Sequence, residues 1–351
     1  MTVHKGSPKG PPKGSSLTAM AREIAEIPAA TKSLLGQFDE IAATAEGIRK
    51  SNRHFVVICG RGSSGHVGVY LRYLFETRLG LLVSAAAPSV VTAYRRPSDM
   101  RHVIFIVISQ SGRSPDLVTA TRLAREFGAL TIALVNEVES PVAAEAELVL
   151  PVRAGPEHAV AATKTVALSM VAGAQLIAAL TDDQELTRAL DRLPQRLAAA
   201  LACDWSAWGE RLHAAPAAFV IGRGYGFGPA REIALKLTET MQIPALGYSA
   251  AELRHGPRAA VTPATPVLVL RQNDEAAATV DDLIYDLVDQ NETVFAAGGP
   301  AGTLPWIGDD HPICDPIAML LPAYLAVERA ARRRGLDPDK PRFLSKVTHT
   351  L

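Results

Sequence analysis

Ser109-Gln110-Ser111-Gly112-Arg113-Ser114-Pro115-Asp116 is the stretch whose reading decides the fold, because of what flanks it. Upstream runs VIFIVI, Val103 to Ile108, a short apolar and β-branched segment that reads as a parallel strand buried on both faces. Downstream, Leu117 to Phe127 has the period and composition of a helix. Ser114-Pro115-Asp116 opens it with a capping hydroxyl, a proline suited to the first turn and an acid. The strand therefore ends in hydroxyls and a glycine aimed at a helix N-terminus. That is an anion cradle of neutral donors: Ser109, Gln110, Ser111 and Ser114. A phosphate ester suits it, although a turn that merely caps its helix has the same composition.

A second turn of the same build favours the phosphate. In FVVICGRGSSGHVGVYLRYLFE an apolar strand, Phe55 to Ile58, runs into Cys59-Gly60-Arg61-Gly62-Ser63-Ser64-Gly65 and then an amphipathic helix starting near His66. The glycines permit a tight turn and close approach of a ligand, and Ser63 and Ser64 add two hydroxyls. No GK[ST] follows, so this is not a P-loop, and it fits a dinucleotide fingerprint poorly. Two such loops point to a sugar-phosphate or nucleotide-phosphate site.

Composition bounds the partners. At 351 residues and 48% apolar, the chain can build two domains with real cores. Lys+Arg and Asp+Glu are both 36, and zero net charge argues against nucleic acid as the main partner. Cys59, Cys203 and Cys314 are isolated, without CxxC or Cys/His spacing, so neither a zinc site nor a disulfide framework is expected. A reducing cytoplasm is the simplest home. Residues 1–16, rich in Gly, Pro, Ser and Lys, are too polar for a signal peptide and read as a disordered tail. No apolar run is read as long enough to span a bilayer, and no membrane partner is expected.

Strand-like segments at Phe55–Ile58, Leu81–Ala85, Val103–Ile108, Leu130–Leu134 and Leu148–Pro151 alternate with helical stretches, the pattern of an open parallel sheet with helices on both faces. Leu17 to Leu35 reads as a helical arm broken near Pro28, Ala161 to Leu180 as a long buried helix, and Asp182 to Leu212 as a helical connection broken at Pro194. Then the design repeats. Ala218 to Gly224 echoes Val56 to Gly62, an apolar strand ending in Gly-Arg-Gly, and strand candidates Pro266–Leu270 and Thr293–Ala297 follow in the same order. The expected organisation is a tail (1–16), a helical arm (17–45), a first α/β domain (46–185), a helical connection (186–213), a second α/β domain (214–335) and a C-terminal tail over the active site (336–351). The second copy has lost the hydroxyls: Gly224-Tyr225-Gly226-Phe227-Gly228 and Arg271-Gln272-Asn273-Asp274 stand in their place. Only the first copy is therefore expected to hold phosphate.

Four segments could carry chemistry. Glu232, Lys236 and Glu239, at i, i+4 and i+7, share one helix face, although a generic face of this kind is a solvated salt-bridge array. His255 stands just before Gly256-Pro257, where a lone histidine is ordinarily at the surface. Arg153 to Lys164 joins a strand end to the long helix, with Glu157, Thr163 and Lys164 near its start, and Pro341 to Thr348 is an ordered-looking tail with one lysine, Lys346. Spacing alone leaves open whether these four converge.

GSSGHVG, SQSGRSPD, AGPEHAVAATKT, EIALKLTE, AELRHGP and PRFLSKVT, in this order, resemble the isomerase half of the glutamine–fructose-6-phosphate amidotransferases, a tandem of sugar isomerase (SIS) domains. The resemblance runs from near Met20 to the C-terminus and implies two open parallel sheets flanked by helices, each a three-layer α/β/α sandwich. It implies that Ser64, Ser109, Gln110, Ser111 and Ser114 bind the sugar phosphate, beside the Ser63 already read from the loop. Val160 would touch the sugar through its backbone. Glu239 would move the proton between the first two carbons, supported by Lys236. His255 would assist ring opening from a neighbouring subunit of a homodimer, and Lys346 would form a Schiff base with the open ketose. The chain departs from that pattern in three places. Thr2 stands where the family's glutaminase cysteine is expected, and only a tail and an arm precede the first domain, so no ammonia-generating domain is expected. Arg113 and Ala162 replace a usual acid and a usual serine.

The expectation is then a cofactor-free, metal-free deaminase taking glucosamine 6-phosphate to fructose 6-phosphate and ammonia. A neutral Lys346 could assist by transimination. The alternatives are an aldose–ketose isomerase, a galactosamine-6-phosphate deaminase, a deglycase of a fructosamine-type phosphate, and a non-catalytic sugar-phosphate sensor.

Overall fold

The computed structural model describes residues 17–346 apart from Gln37 and Pro97. The expected N-terminal tail and the last residues of the PRFLSKVT motif lie outside the described residues. Two all-parallel sheets follow one another along the chain. The first holds β1 (Phe55–Cys59), β2 (Leu82–Ala85), β3 (Val103–Ser109), β4 (Leu130–Val135) and β5 (Leu148–Pro151), in spatial order β2-β1-β3-β4-β5. The second holds β6 (Ala218–Gly222), β7 (Ala245–Ser249), β8 (Val267–Leu270) and β9 (Val294–Ala297), ordered β7-β6-β8-β9. Phe55 is in register with Leu82 and Val103, and Phe219 with Leu246 and Val267, so β6 repeats the place of β1 and β8 that of β3. Every residue of β3 is buried, as its unbroken apolar run requires. β7 carries no such run: it is an edge strand containing Gly247 and Ser249, and only its pairing to β6 makes it a strand.

Helices α1 (Ala19–Leu35) and α2 (Asp39–Ser51) precede the first sheet. α3 (Gly62–Leu79), α4 (Pro88–Thr92), α5 (Pro115–Glu126) and α6 (Pro141–Glu145) connect its strands. α7 (Lys164–Thr181), α8 (Gln184–Ala200) and α9 (Ser206–Leu212) lead to the second sheet, which α10 (Phe227–Met241), α11 (Ala250–Arg254), α12 (Ala277–Asp289) and α13 (Asp315–Arg333) complete. The outer face of each sheet packs its own cluster, around Phe105 and Leu117 in one and Phe219 and Leu283 in the other. Between the sheets lies one continuous core, in which Leu71 and Tyr70 of α3, Met170 of α7, Ile233 and Leu237 of α10 and Tyr324 of α13 are all buried. The two halves thus share an apolar layer, and a polar cluster inside it is cut off from bulk water.

Three expectations are corrected. α1 runs unbroken through Pro28, and α8 through Pro194. Each proline lacks the N–H that would reach the carbonyl four residues back. The helices persist because their apolar faces, Ile24 and Ile27 in α1 and Leu190 and Leu193 in α8, are buried in the shared core. α7, 18 residues long with a mean hydropathy of 1.4, does reach the length and composition of a membrane span, but 83% of it is buried within the protein as the central core helix.

Candidate active site

The two serine loops leave adjacent parallel strands at the point where strand order reverses, the usual ligand crevice of an open α/β sheet. At Gly60 an added Cβ would lie 2.9 Å from the Ser64 carbonyl, so only glycine lets the turn close. Gly112 sits at φ +60° with Ser140 Oγ 2.1 Å from where a Cβ would be. The helix after β1 begins at Gly62, earlier than expected, which puts Ser63 and Ser64 inside its first turn. Ser63, Ser64 and Gln110 together line a small cavity of about 20 Å³ with Asn136, Ala162 and Ser169. Ser109 is buried and accepts from the Gly112 amide at 3.0 Å, while Ser111 accepts weakly from Arg113 N at 3.4 Å. Ser114 occupies the N-cap position of α5 but its hydroxyl makes no capping bond, contrary to expectation. Asp116 is drawn instead into an ion pair with Arg61 (Nη2 to Oδ2 2.9 Å), which ties the two serine loops together.

The carboxylates of α10 meet the first loop from the other half. Glu232 and Lys236 are fully buried, so the EXXXKXXE face is a buried cluster rather than a solvated one. Ser63 Oγ donates to Glu232 Oε1 at 3.1 Å, and His66 Nδ1 lies 3.1 Å from Glu232 Oε2. Lys236 Nζ lies 3.3 Å from Glu232 Oε1 and donates to Ser63 Oγ at 3.1 Å and to Glu239 Oε2 at 2.5 Å. Burial alone would push Lys236 toward the neutral amine, but Glu232 and Glu239 outweigh it and raise its pKa above the usual lysine value. An ammonium therefore orients Glu239, the one member of the trio that is partly accessible, its side chain 20% exposed.

Lys346 reaches the same layer from the C-terminal tail. Its Nζ donates to Glu157 Oε2 at 2.8 Å and to the Ala159 carbonyl at 2.7 Å. Burial would raise the Glu157 pKa, but Lys346 and the amides of Thr165 and Thr163 overcome it and hold the carboxyl below its ordinary value. Lys346 is thus engaged by a buried carboxylate rather than left free for transimination. Val160 N–H donates to Asp339 O of the tail at 3.3 Å. His255 is exposed at the end of α11, with no side-chain hydrogen bond or ion pair among the described residues, and the fold of one chain does not link it to Glu239. Among the described residues no cluster of three or more His, Cys, Asp or Glu could hold a metal ion.

The family model for the SIS domain matches residues 48–179 and 211–296, one match on each sheet. The chain belongs to the SIS-domain family. At 39% identity it is similar to a protein of Silicibacter pomeroyi DSS-3 assigned as a phosphosugar isomerase, with a TM-score of 0.88 over 92% of this SIS chain and 100% of that one. It is 32% identical to the glutamine–fructose-6-phosphate aminotransferase (isomerizing) of Symbiobacterium thermophilum and 33% identical to that of Methanothermobacter thermautotrophicus, over 95% of this chain in each case. The chain spans 59% and 58% of those two relatives' lengths. The glucosamine-6-phosphate deaminase of Thermotoga maritima, at 22% identity and a TM-score of 0.78 over 95% of this chain and 100% of that one, shares the fold.

Sequence reasoning missed several residues of the candidate site. His66 carried no signal because its partner lies 166 positions away. Arg61 and Asp116 were visible as residues of the two loops, yet their pairing needed the β1–β3 neighbourhood. Tyr324 of α13 is wholly buried, its pKa driven up by burial and then by Glu232, Glu157 and Glu239, and its hydroxyl has no well-formed hydrogen bond. It stands between the Lys236 and Lys346 clusters, where it read as one more apolar core residue.

Proposed function

We propose that the chain converts an amino-sugar phosphate by moving a proton between its first two carbons, taking glucosamine 6-phosphate and water to fructose 6-phosphate and ammonia. The carrying observation is the 3.1 Å contact of Lys236 Nζ with Ser63 Oγ: it ties the carboxylate helix of the second half to the serine loop of the first. Ser64, Gln110, Ser111 and Ser114 hold the phosphate, assisted by Ser63 and Ser109 and by the amides of the two turns, and this binding acts away from the reacting carbons. In the ring-opened aldehyde, Glu239 removes the proton from the carbon bearing nitrogen, giving an enolamine, and returns it to the neighbouring carbon. The ketimine that results adds water and expels ammonia. Lys236 fixes the position of Glu239 and stays charged throughout. Val160 steers the sugar through its carbonyl. His255, free on the surface, serves ring opening in the site of a second copy of the chain in a homodimer.

A plain aldose–ketose isomerase is the second reading, and one observation favours it: Lys346 is held by Glu157 and Ala159 rather than free for imine chemistry. Purified protein mixed with glucosamine 6-phosphate should release ammonia and fructose 6-phosphate in equal amounts. Isomerisation of phosphosugars without any ammonia release refutes the deaminase reading in favour of the second one.

A further inference from the structure

The second sheet has its own switch point, between β6 and β8, equivalent to the β1–β3 crevice that the serine loops occupy. A cavity of about 440 Å³ opens there, bounded by the loops after β6 and β8 and by the C-terminal half of α3. Arg223 lines it. The Nη1 of this arginine is shielded from solvent and has no hydrogen-bond partner, and no acid pairs with its side chain among the described residues. A guanidinium left without an acceptor beside a cavity is a recognition group for an oxyanion. The next two amides, Gly224 and Tyr225, also lack an acceptor among the described residues. Asp274 and Glu275 line it too, with Asp274 Oδ2 3.3 Å from where a Cβ on Gly224 would be, while Tyr73 and Tyr225 offer ring faces. Asp274 is partly engaged by Gln272 Nε2 at 2.7 Å, and Glu275 is exposed and unpaired.

We propose that this cavity is a second, non-catalytic site for a phosphorylated amino sugar. The phosphate sits on Arg223 and the Tyr225 amide, and the ammonium and hydroxyls meet Asp274, beside Gly224, and Glu275. The proposal rests on the amino-sugar phosphate reading above and deepens it. Loss of the serines from this half led to the expectation of a single phosphate site; an arginine and a backbone donor take over the task here. The site is also placed to report on catalysis. Thr77 Oγ1 of α3 is hydrogen-bonded to Tyr225 OH at 2.8 Å on the cavity wall, while the other end of α3 carries Ser63 and His66 to Glu232. A ligand that shifts the Arg223–Tyr225 loop therefore shifts the α3–α10 contact on which the Glu232–Lys236 network is built.

The test is calorimetric titration of the Glu239→Gln protein, silenced for turnover, with glucosamine 6-phosphate. Two equivalents per chain are expected. Ser111→Asp, which sets a negative charge in the serine loop, should abolish one. Arg223→Gln should weaken the other about tenfold or more, and Ala251→Glu, which enters the cavity from α11, should do the same if Arg223→Gln fails to fold. A single equivalent that Ser111→Asp removes, and that Arg223→Gln and Ala251→Glu leave alone, overturns this inference while sparing the function proposed above. Inorganic phosphate bound in an Arg223-dependent way, without competition by glucosamine 6-phosphate, overturns the amino-sugar assignment. Absence of all binding overturns both proposals.

Discussion

Replacing Gly228 by alanine probes the α3–α10 contact directly. The new Cβ would lie 2.7 Å from the His66 carbonyl oxygen, 2.8 Å from the Tyr70 amide nitrogen and 2.9 Å from Tyr70 Cβ. Ordinary contact begins at 3.4 Å, so the shortfall is about 0.7 Å. Two of the three obstacles are backbone atoms of α3, which no rotamer change removes, so the helix must move as a unit. It carries Ser63 and His66 with it, and their 3.1 Å contacts to Glu232 would open to roughly 3.8 Å, beyond hydrogen-bonding range. Overpacking of this kind costs about 1–3 kcal/mol. A displacement approaching 1 Å in a positioned catalytic array costs on the order of 10²-fold in kcat. Urea unfolding read by tryptophan fluorescence measures the first effect, and ammonia release at saturating glucosamine 6-phosphate the second. A variant with the wild-type unfolding midpoint and wild-type kcat would show that the helices are not locked together as described.

Other perturbations give separable outcomes. Glu239→Gln should lower kcat by about 10²- to 10⁴-fold while added substrate still raises the Tm by linkage; wild-type turnover would remove Glu239 from proton transfer. Glu157 has a pKa below its ordinary value, so its contribution to stability is present above pH ~4.5 and lost as pH falls through the lowered folded value. Glu157→Gln should therefore flatten the acid limb of a stability–pH profile, and cost about 1–3 kcal/mol at pH 7 by leaving Lys346 short of an acceptor; an unchanged acid limb refutes the assignment. Burial pushes the Cys59 thiol up to about 12 and raises Cys314 as well, so neither should react with a disulfide reagent at pH 8 until the chain is unfolded, whereas half-buried Cys203 should react slowly. Fast titration of three thiols in the native protein would contradict that burial.

Much of the site was legible because its parts are local. A strand, a serine-bearing turn and a helix start occupy one continuous segment each, and the echo of Gly60-Arg61-Gly62 in Gly222-Arg223-Gly224 reveals the duplication without reference to space. The spacing of Glu232, Lys236 and Glu239 put them on one face, but the same spacing describes a solvated helix. Only burial between two sheets turned it into a cluster in which a lysine stays charged. The prolines erred in the opposite direction: local chemistry argued for breaks at Pro28 and Pro194, and tertiary packing of the apolar faces overrode it.

The sequence by itself determined most of the elements, their parallel arrangement, the repeat and the neutral donors at two strand ends, because hydrophobic period and turn chemistry act over a handful of residues; the edge strand β7 was not among them. The tertiary structure alone decided that α3 and α10 touch at Gly228, that Ser63 and His66 meet Glu232, and that Lys346 is held by Glu157. Those contacts join residues more than 150 positions apart. Their free energy comes from burying one apolar layer between two sheets, a property of the assembled fold that no local pattern encodes.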